Sequence, residues 1–312
     1  MSFTTQIKEE IIKNEFNNLE IISLLSAFFR QNAYIDEKQI RVHTENIDVC
    51  RFLFSKIEEL YKFRPRIVLR KNFNFRKNYL YILEIEKNKD EILKDLALIN
   101  QDGYFTNLPK EFIYADDELK NSYLKGTFLA SGSINDPKKS RYHLEFLLDD
   151  EEYAIFVDDL LNNFSLNSRI INRVKGYMVY IKEAEKISDF LKIIKAFQAV
   201  LYFEDVRIYR DQKNKTNRLN NCEQANVEKI INSSNQQIED INLIAEKMGL
   251  DLLEEKLQEV AMYRLKYQES SLLELSEIIS FESSKKISKS CLNHRLRKIK
   301  EIANRLKITK SS

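Results

Sequence analysis

Residues alternate with a period of two along Arg64-Pro65-Arg66-Ile67-Val68-Leu69-Arg70, placing Arg64, Arg66 and Arg70 on one face and Ile67 and Leu69 on the other. The pattern predicts a half-buried strand. A longer period governs Leu292, Leu296, Ile299, Ala303 and Leu306, which follow the i, i+4, i+7, i+11, i+14 spacing of a single helical stripe. Along the chain such patterns predict a helix over 19–31, two strands closing near residue 45, a helix over 46–61, paired strands over 64–71 and 78–86, and a helix over 88–99. The same order then returns. Helices over 117–131, 151–163 and 185–201 enclose two strands closing near residue 145 and a pair over 168–174 and 177–183, giving αββαββα twice.

Local matches point to an internal duplication. Arg41-Val42-His43-Thr44-Glu45 returns as Arg141-Tyr142-His143-Leu144-Glu145, an R-x-H-x-E displaced by one hundred residues. Leu24, Phe28 and Asp36 match Leu124, Phe128 and Asp136 at that offset, and YILEIEK from Tyr81 returns as YIKEAEK from Tyr180. Two such halves would pack about a pseudo-two-fold axis through their leading helices. Gly126 and Ala130, one helical turn apart, are the expected close-contact positions, opposed by Ser26, Ala27 and Arg30. A glycine inside a helix costs roughly 1 kcal/mol against alanine, so packing at Gly126 must offset it.

Near the C-terminus, Ser271-Leu272-Leu273-Glu274 has the form of a capping box opening a helix over 272–280, with Leu273 and Ile278 available for a core. Ser288 is a plausible N-cap for the striped helix that follows. Opposite its stripe lie Ser290, His294 and Arg297, flanked by Asn293 and Lys298. Arginine can pair with guanine edges and asparagine with adenine edges, while Lys289 and Lys298 can neutralise phosphate. The candidate DNA-contacting set is therefore Ser271, Ser288, Lys289, Ser290, Asn293, His294, Arg295, Arg297 and Lys298. SFESSKK between the two helices is longer than the usual helix-turn-helix turn.

Charge supports the same end of the chain. Residues 226–280 hold 5 Lys/Arg against 11 Asp/Glu, and residues 281–312 hold 10 against 2. Such asymmetry is expected of a nucleic-acid-binding domain, and equally of a solvated basic tail. The segment 61–77 carries seven basic residues and no acid, making Arg64, Arg66, Arg70 and Lys71 candidate phosphate contacts. In 207–221, five basic residues face one acid with few apolar positions, which reads as a linker segment whose Arg210, Lys213, Lys215 and Arg218 are further candidates.

The length of 312 residues and the 43% apolar content suffice for two domains. Cys50, Cys222 and Cys291 are too few and too scattered for a disulfide framework or a zinc site. No apolar run is long enough to cross a bilayer, and the expectation is a soluble cytoplasmic protein. The two R-x-H-x-E motifs would place Arg, His and Glu on one strand face, a weak metal candidate set beside the more ordinary reading of a solvated sheet face.

Leu124-Lys125-Gly126-Thr127-Phe128-Leu129-Ala130-Ser131-Gly132 resembles the LAGLIDADG helix of homing endonucleases, whose duplicated αββαββα fold forms a DNA-gripping saddle. The resemblance implies that an acidic residue just before the final glycine of each helix would hold catalytic divalent metals. Ser131 stands there in the second half, and Gln31 or Asn32 in the first. Without those carboxylates, two-metal phosphodiester cleavage lacks its ligands.

Asn217-Arg218-Leu219-Asn220-Asn221-Cys222-Glu223-Gln224-Ala225-Asn226, together with GTFLASGSINDP, SLLELSEII and ISKSCLNHRLRKI, is similar to segments of the WhiA family of bacterial transcriptional regulators. That resemblance implies an α+β fold: a degenerate LAGLIDADG-like saddle over 1–205, in halves of about 1–110 and 111–205, a basic linker over 206–225, and an all-α helix-turn-helix domain over 226–312. It also implies a sequence-specific, non-enzymatic regulator of sporulation, division or growth genes, without cofactor or metal, located in the cytoplasm at the nucleoid. Its implied partner is double-stranded promoter DNA, with RNA polymerase or another regulator as further candidates and no membrane. Two alternatives differ in class: a residual metal-dependent DNA endonuclease, and a protein- or ligand-binding scaffold tethered to DNA by its C-terminal domain.

Overall fold

The computed structural model describes residues 2–71, 79–139, 141–283 and 285–308. The chain divides into two compact units, Met1–Arg210 and Asp211–Ser312. In the first, α1 (Phe3–Ile11) precedes the duplicated pattern, which begins with α2 (Asn18–Asn32), β1 (Ala33–Ile35), β2 (Ile40–Thr44), α3 (Ile47–Tyr61), β3 (Arg66–Lys71), β4 (Tyr79–Ile85) and α4 (Lys89–Asp95). The second half repeats the order with α5 (Asp117–Ser131), β5 (Gly132–Ile134), β6 (Leu144–Leu148), α6 (Glu151–Asn163), β7 (Arg169–Asn172), β8 (Tyr177–Ile181) and α7 (Ala184–Ile193). Each half folds one four-stranded antiparallel sheet, ordered β1-β2-β4-β3 and β5-β6-β8-β7.

Local chemistry sets the helix starts. Asn17 and Glu20 close a capping box on α2, and the Asp116 and Asp150 carboxylates cap α5 and α6. Helices α2 and α5 then pack on each other more extensively than any other pair of elements. Along most of α5, from Ser122 to Leu129, every residue is buried. Gly126 is the reason the two backbones can meet. A Cβ there would lie 2.2 Å from the Leu24 carbonyl oxygen and 2.9 Å from the Ala27 Cβ of α2. Ala130, the other expected contact, is only half-buried.

The duplication is present, yet the sequence matches that suggested it are out of structural register. Asn32 and Ser131 each end a fifteen-residue leading helix, 99 positions apart, so Ala27 corresponds to Gly126 and Phe29 to Phe128. In the sheets Ile35 pairs with Ile40 and Ile134 with Leu144, which sets Ile40 opposite Leu144 at an offset of 104. Ile40 and Leu144 pair in turn with Ile85 and Ile181, an offset of 96. Arg41 and His43 thus share a face of β2, with Glu45 just beyond its end, whereas Arg141 and His143 precede β6, so the expected strand face forms only in part and only in the first half. Different loop lengths in the two halves shift the offset at the β1–β2 connection and again before β4, while it holds from α2 into β1 and from β2 into α3.

Three further expectations are corrected. β3 is an edge strand exposed on both faces, with Ile67 46% and Leu69 56% accessible, because alternation specifies a strand but not a layer above it. The helix expected over 185–201 breaks after α7, where Lys195 takes a left-handed φ of 56°. The chain restarts as α8 (Phe197–Lys247), whose first amides are capped by the Glu10 carboxylate of α1, with Gln198 N donating at 2.6 Å and Ala199 N at 3.1 Å. The segment 206–225, read as a linker, is helical throughout because it belongs to α8.

The second unit contains the rest of α8, then α9 (Glu255–Lys266), α10 (Leu272–Glu282) and α11 (Lys289–Ile308) around their own core. Leu275 and Ile279 of α10 enter it; Leu273 is 54% exposed and Ile278 is half-buried, which corrects the expected pair. The helix takes in Ser280, Phe281 and Glu282, so the connection to α11 is shorter than SFESSKK. Arg264, 1% exposed, donates to the carbonyls of Ser270 at 2.7 Å and Tyr267 at 3.3 Å and to Ser234 Oγ of α8 at 3.3 Å.

Gly126→Ala should destabilise the first unit by about 1–3 kcal/mol, since overpacking against a backbone carbonyl outweighs the helix-propensity gain. Urea denaturation measures it, and a midpoint equal to or above that of the unchanged chain would refute the close-approach role.

Candidate nucleic-acid interface

Two places gather functional side chains, one in each unit. In the first unit the C-terminal ends of α2 and α5 bring Asn32 and Ser131 to the wall of one cavity of ≈230 Å³. The equal helix lengths decide between the two sequence candidates: Asn32, not Gln31, is the counterpart of Ser131. Neither position carries a charge. Asn32 Nδ2 donates to the His43 carbonyl at 3.0 Å, and Ser131 Oγ reaches back to the Thr127 carbonyl at 3.5 Å, the fallback of a hydroxyl near a helix end.

The nearby carboxylates are already engaged. Asp150 caps α6 through Tyr153 N at 2.9 Å and accepts from Asn107 Nδ2 at 2.9 Å. Asp36 sits in the β1–β2 turn, where the Arg41 guanidinium at 2.5 Å and the amides of Gln39 and Lys38 hold its carboxyl down to about 2. Asp136 closes the equivalent turn, accepting from Lys138 N and Tyr202 Oη. His143 Nε2 lies 3.1 Å from Glu145 Oε2, a local pair. No group of three or more His, Cys, Asp or Glu suited to a metal occurs among the described residues.

Sequence reasoning missed Lys8 and gave Arg30 only a place on the helix contact. Arg30, in the last turn of α2, is buried and donates to the carbonyls of Thr106 and, at 2.9 Å, Ala97. It thereby ties down the connection between the two halves, in which Ala97 holds a left-handed φ of 50°. Lys8 of α1 donates to the Leu129 carbonyl of α5 at 2.9 Å and borders a second, wider cavity of ≈650 Å³ that also reaches Asn32 and His43. Burial lowers its pKa to about 8, against a weaker opposing pull from Glu45. A lysine in α1 gives no sequence signal of this kind, because its burial arises from packing on α5.

The candidate phosphate contacts of the first unit are dispersed. Arg64 pairs with Glu58 at 2.6 Å and Arg66 with Glu84 at 3.9 Å, while Arg70 and Lys71 are exposed on β3. Residues 72–77 of that basic stretch lie outside the described residues. Arg210 donates to the Pro137 carbonyl at 2.7 Å and covers the Tyr142 ring. Lys213, Lys215 and Arg218 are exposed on α8.

In the second unit α11 presents two faces. Leu292, Leu296, Ile299 and Ala303 are buried and Leu306 packs against them, as the stripe requires. Lys289, Ser290, Asn293, His294, Arg297 and Lys298 are exposed on the other side. Ser288 accepts from Cys291 N at 3.2 Å and so caps α11, while Ser271 completes the capping box of α10 with Glu274. Arg295 turns aside to Glu259 of α9, 3.8 Å away. The turn before α11 is pinned by Ile287, buried in the core, whose amide donates to Ser280 Oγ at 3.0 Å.

Family models agree with this division. The model described as the WhiA N-terminal LAGLIDADG-like domain matches residues 20–99, the WhiA LAGLIDADG-like domain 120–213, and the WhiA C-terminal HTH domain 216–303. The chain is 42% identical over 311 residues to a "Probable cell division protein WhiA" of Staphylococcus saprophyticus, covering 98% of each, and 40% identical to that of Staphylococcus aureus. Among solved structures it resembles the full-length WhiA protein of Thermatoga maritima, at 28% identity and a TM-score of 0.61 over 98% of this chain and 99% of that one. An N-terminal LAGLIDADG domain of WhiA aligns at 26% identity and a TM-score of 0.51, covering 62% of this chain and 90% of that one.

The partly buried Lys8 has a measurable consequence. Its ammonium is disfavoured only in the folded chain, so between about pH 8 and pH 10 the unfolded chain binds more protons and stability rises with pH. Lys8→Met should flatten that rise in urea midpoints, with Lys125, also lowered to about 8 by burial, leaving a residual slope. A variant profile that parallels the unchanged chain would exclude the linkage.

Proposed function

The chain belongs to the WhiA family, and from that premise we propose that it is a sequence-specific DNA-binding regulator of transcription that does not cut the DNA it binds. The observation that carries this reading is α11. One side is locked into the core by Leu292, Leu296, Ile299 and Ala303, and the other offers Asn293, His294 and Arg297 with Lys289 and Lys298 at the flanks. A helix held in this way can lie in the major groove, where Arg and Asn read base edges and lysines position the helix on phosphate.

The geometry narrows the contact set. Ser271 and Ser288 serve as caps, and Arg295 is engaged by Glu259, so base readout falls to Ser290, Asn293, His294 and Arg297. Arg64, Arg66, Arg70, Lys71, Lys213, Lys215 and Arg218 are supplementary phosphate contacts in this reading; Arg210, held by Pro137 and Tyr142, is the least available.

The absence of cleavage follows from Asn32 and Ser131. Hard divalent ions need charged oxygen ligands side by side, and a carboxamide with a hydroxyl does not supply them. The names of the curated relatives point to cell division, and genes of division, growth or sporulation are the corresponding targets. Nucleoid association and contact with RNA polymerase or another regulator would follow from action at promoters.

Chromatin immunoprecipitation with sequencing should recover a shared motif, and fragments bearing it are the ligands for measurement. On such a duplex Arg297→Ala should weaken binding by about 1–3 kcal/mol, and Lys298→Ala should lower the slope of log affinity against log salt by about 1. Arg295→Ala is the control that leaves base discrimination unchanged. An Arg297→Ala titration that superimposes on that of the unchanged chain would remove α11 as the reading helix, and plasmid cleavage with magnesium would overturn the non-nuclease reading.

A further inference from the structure

One stretch of α8 has no layer packed on it. From Asp211 to Ser233 every residue is exposed, and burial resumes at Ser234, where Arg264 of α9 donates to the hydroxyl. An uncovered helix depends on propensity and on side-chain pairs along its own surface. The composition here serves propensity poorly: six of these residues are asparagine, a weak helix former whose amide competes for the backbone. Residues that neither pack nor favour the helix point to something the helix meets.

Their placement is ordered. Asn214, Asn217, Asn221 and Ala225 follow the i, i+3, i+7, i+11 spacing that in a packed helix makes an apolar stripe. No side-chain hydrogen bond is made by the three asparagines among the described residues. With a turn of about 100° per residue, Lys213 falls on one side of the stripe and Arg218 on the other. Neither enters an ion pair among the described residues. Over 207–221 five basic residues stand against one acid, a charge complementary to a polyanion. Asparagine pairs with N6 and N7 of adenine, a small apolar side chain such as Ala225 meets the thymine methyl, and flanking cations meet phosphates on either bank of a groove. The stripe runs roughly 16 Å along the helix, enough to cross a major groove about 12 Å wide.

We propose that α8 over residues 214–225 is a second base-reading helix, lying in a major groove with Asn214, Asn217 and Asn221 on adenine edges and Lys213 and Arg218 on the phosphates beside them. Basic, uninterrupted helices are an established means of reading that groove. The assignment rests on the DNA-binding function proposed for the chain and extends base readout beyond α11.

Titration of the full chain with the duplex carrying the immunoprecipitated motif tests it. Asn217→Ala and Asn221→Ala should each weaken binding roughly five- to 150-fold. Neither changes a charge, so the slope of log affinity against log salt should stay as it is. Alanine is the better helix former, so thermal melting should show no loss of stability, and a weaker complex is then not a folding defect. Duplexes in which single adenines are replaced by 7-deazaadenine, which lacks N7, read the contact itself. A replacement that weakens the unchanged chain should have no further effect on the matching asparagine variant. Arg297→Ala should keep that sensitivity, because it alters α11 alone. Unchanged affinity in both asparagine variants, or 7-deazaadenine effects that all persist in them, overturns the proposal and leaves α11 as the reader. A variant that turns a sedimenting dimer into a monomer assigns the stripe to a second copy of the chain and overturns it too. If the unchanged chain binds no duplex, the DNA-binding function and this inference fall together; an effect of the asparagine variants with none from Arg297→Ala removes α11 alone.

Discussion

The approach of two helical backbones at Gly126 is the constraint on which the first unit depends. With no side chain there, the Leu24 carbonyl can occupy the space a Cβ would take, and the two leading helices pack along their length. Polar groups trapped in so close a contact must find partners. Ser23 Oγ donates to the Leu119 carbonyl at 2.8 Å and Ser26 Oγ to the Leu96 carbonyl at 2.7 Å, short side chains that fit where the helices nearly touch. The C-terminal ends of the same two helices bring Asn32 and Ser131 to one cavity. A scaffold that demands this geometry for stability keeps it whether or not the two positions carry carboxylates.

The second unit is held by different means. Its core is small, and buried polar groups stitch its helices together: Arg264 joins α9 to Ser234 of α8, and the Asp240 carboxylate of α8 meets Lys307 of α11 at 2.8 Å. The opposed charge blocks of the sequence are thus partly internal partners. Asp240 with Lys307 and Glu259 with Arg295 each join the acidic stretch to the basic one. On the outer face of α11 the exposed residues Lys289, Ser290, Asn293, His294, Arg297 and Lys298 form a narrower set than the net charge suggests.

Periodicity alone was enough for the leading helices, the helices after each hairpin and the stripe of α11, since each combines a side-chain signal with a capping residue at its start. The internal repeat was legible too, but through matches at constant spacing that do not coincide in space. Hairpins and turns of unequal length in the two halves move the offset from 99 to 104 to 96, and no constant shift in the sequence can follow that. Tyr153, Phe105 and Asn107 escaped notice for a related reason: they reach the cavity from a helix of the second half and from the connection between halves.

By itself the sequence determined most of the element order within the two repeats, the apolar stripe of α11 and the uncharged residues at the ends of the leading helices, because period, capping and residue type are local properties of the chain. Tertiary structure alone decided that Asn32 rather than Gln31 faces the role of Ser131, that β3 lies bare at an edge, and that Arg295 turns to Glu259 while Arg297 stays free of the core. It also decided what Arg30 and Lys8 do. Each is a cation whose surroundings come from elements distant in sequence, and desolvation, partner and reach are set only when those elements close around it.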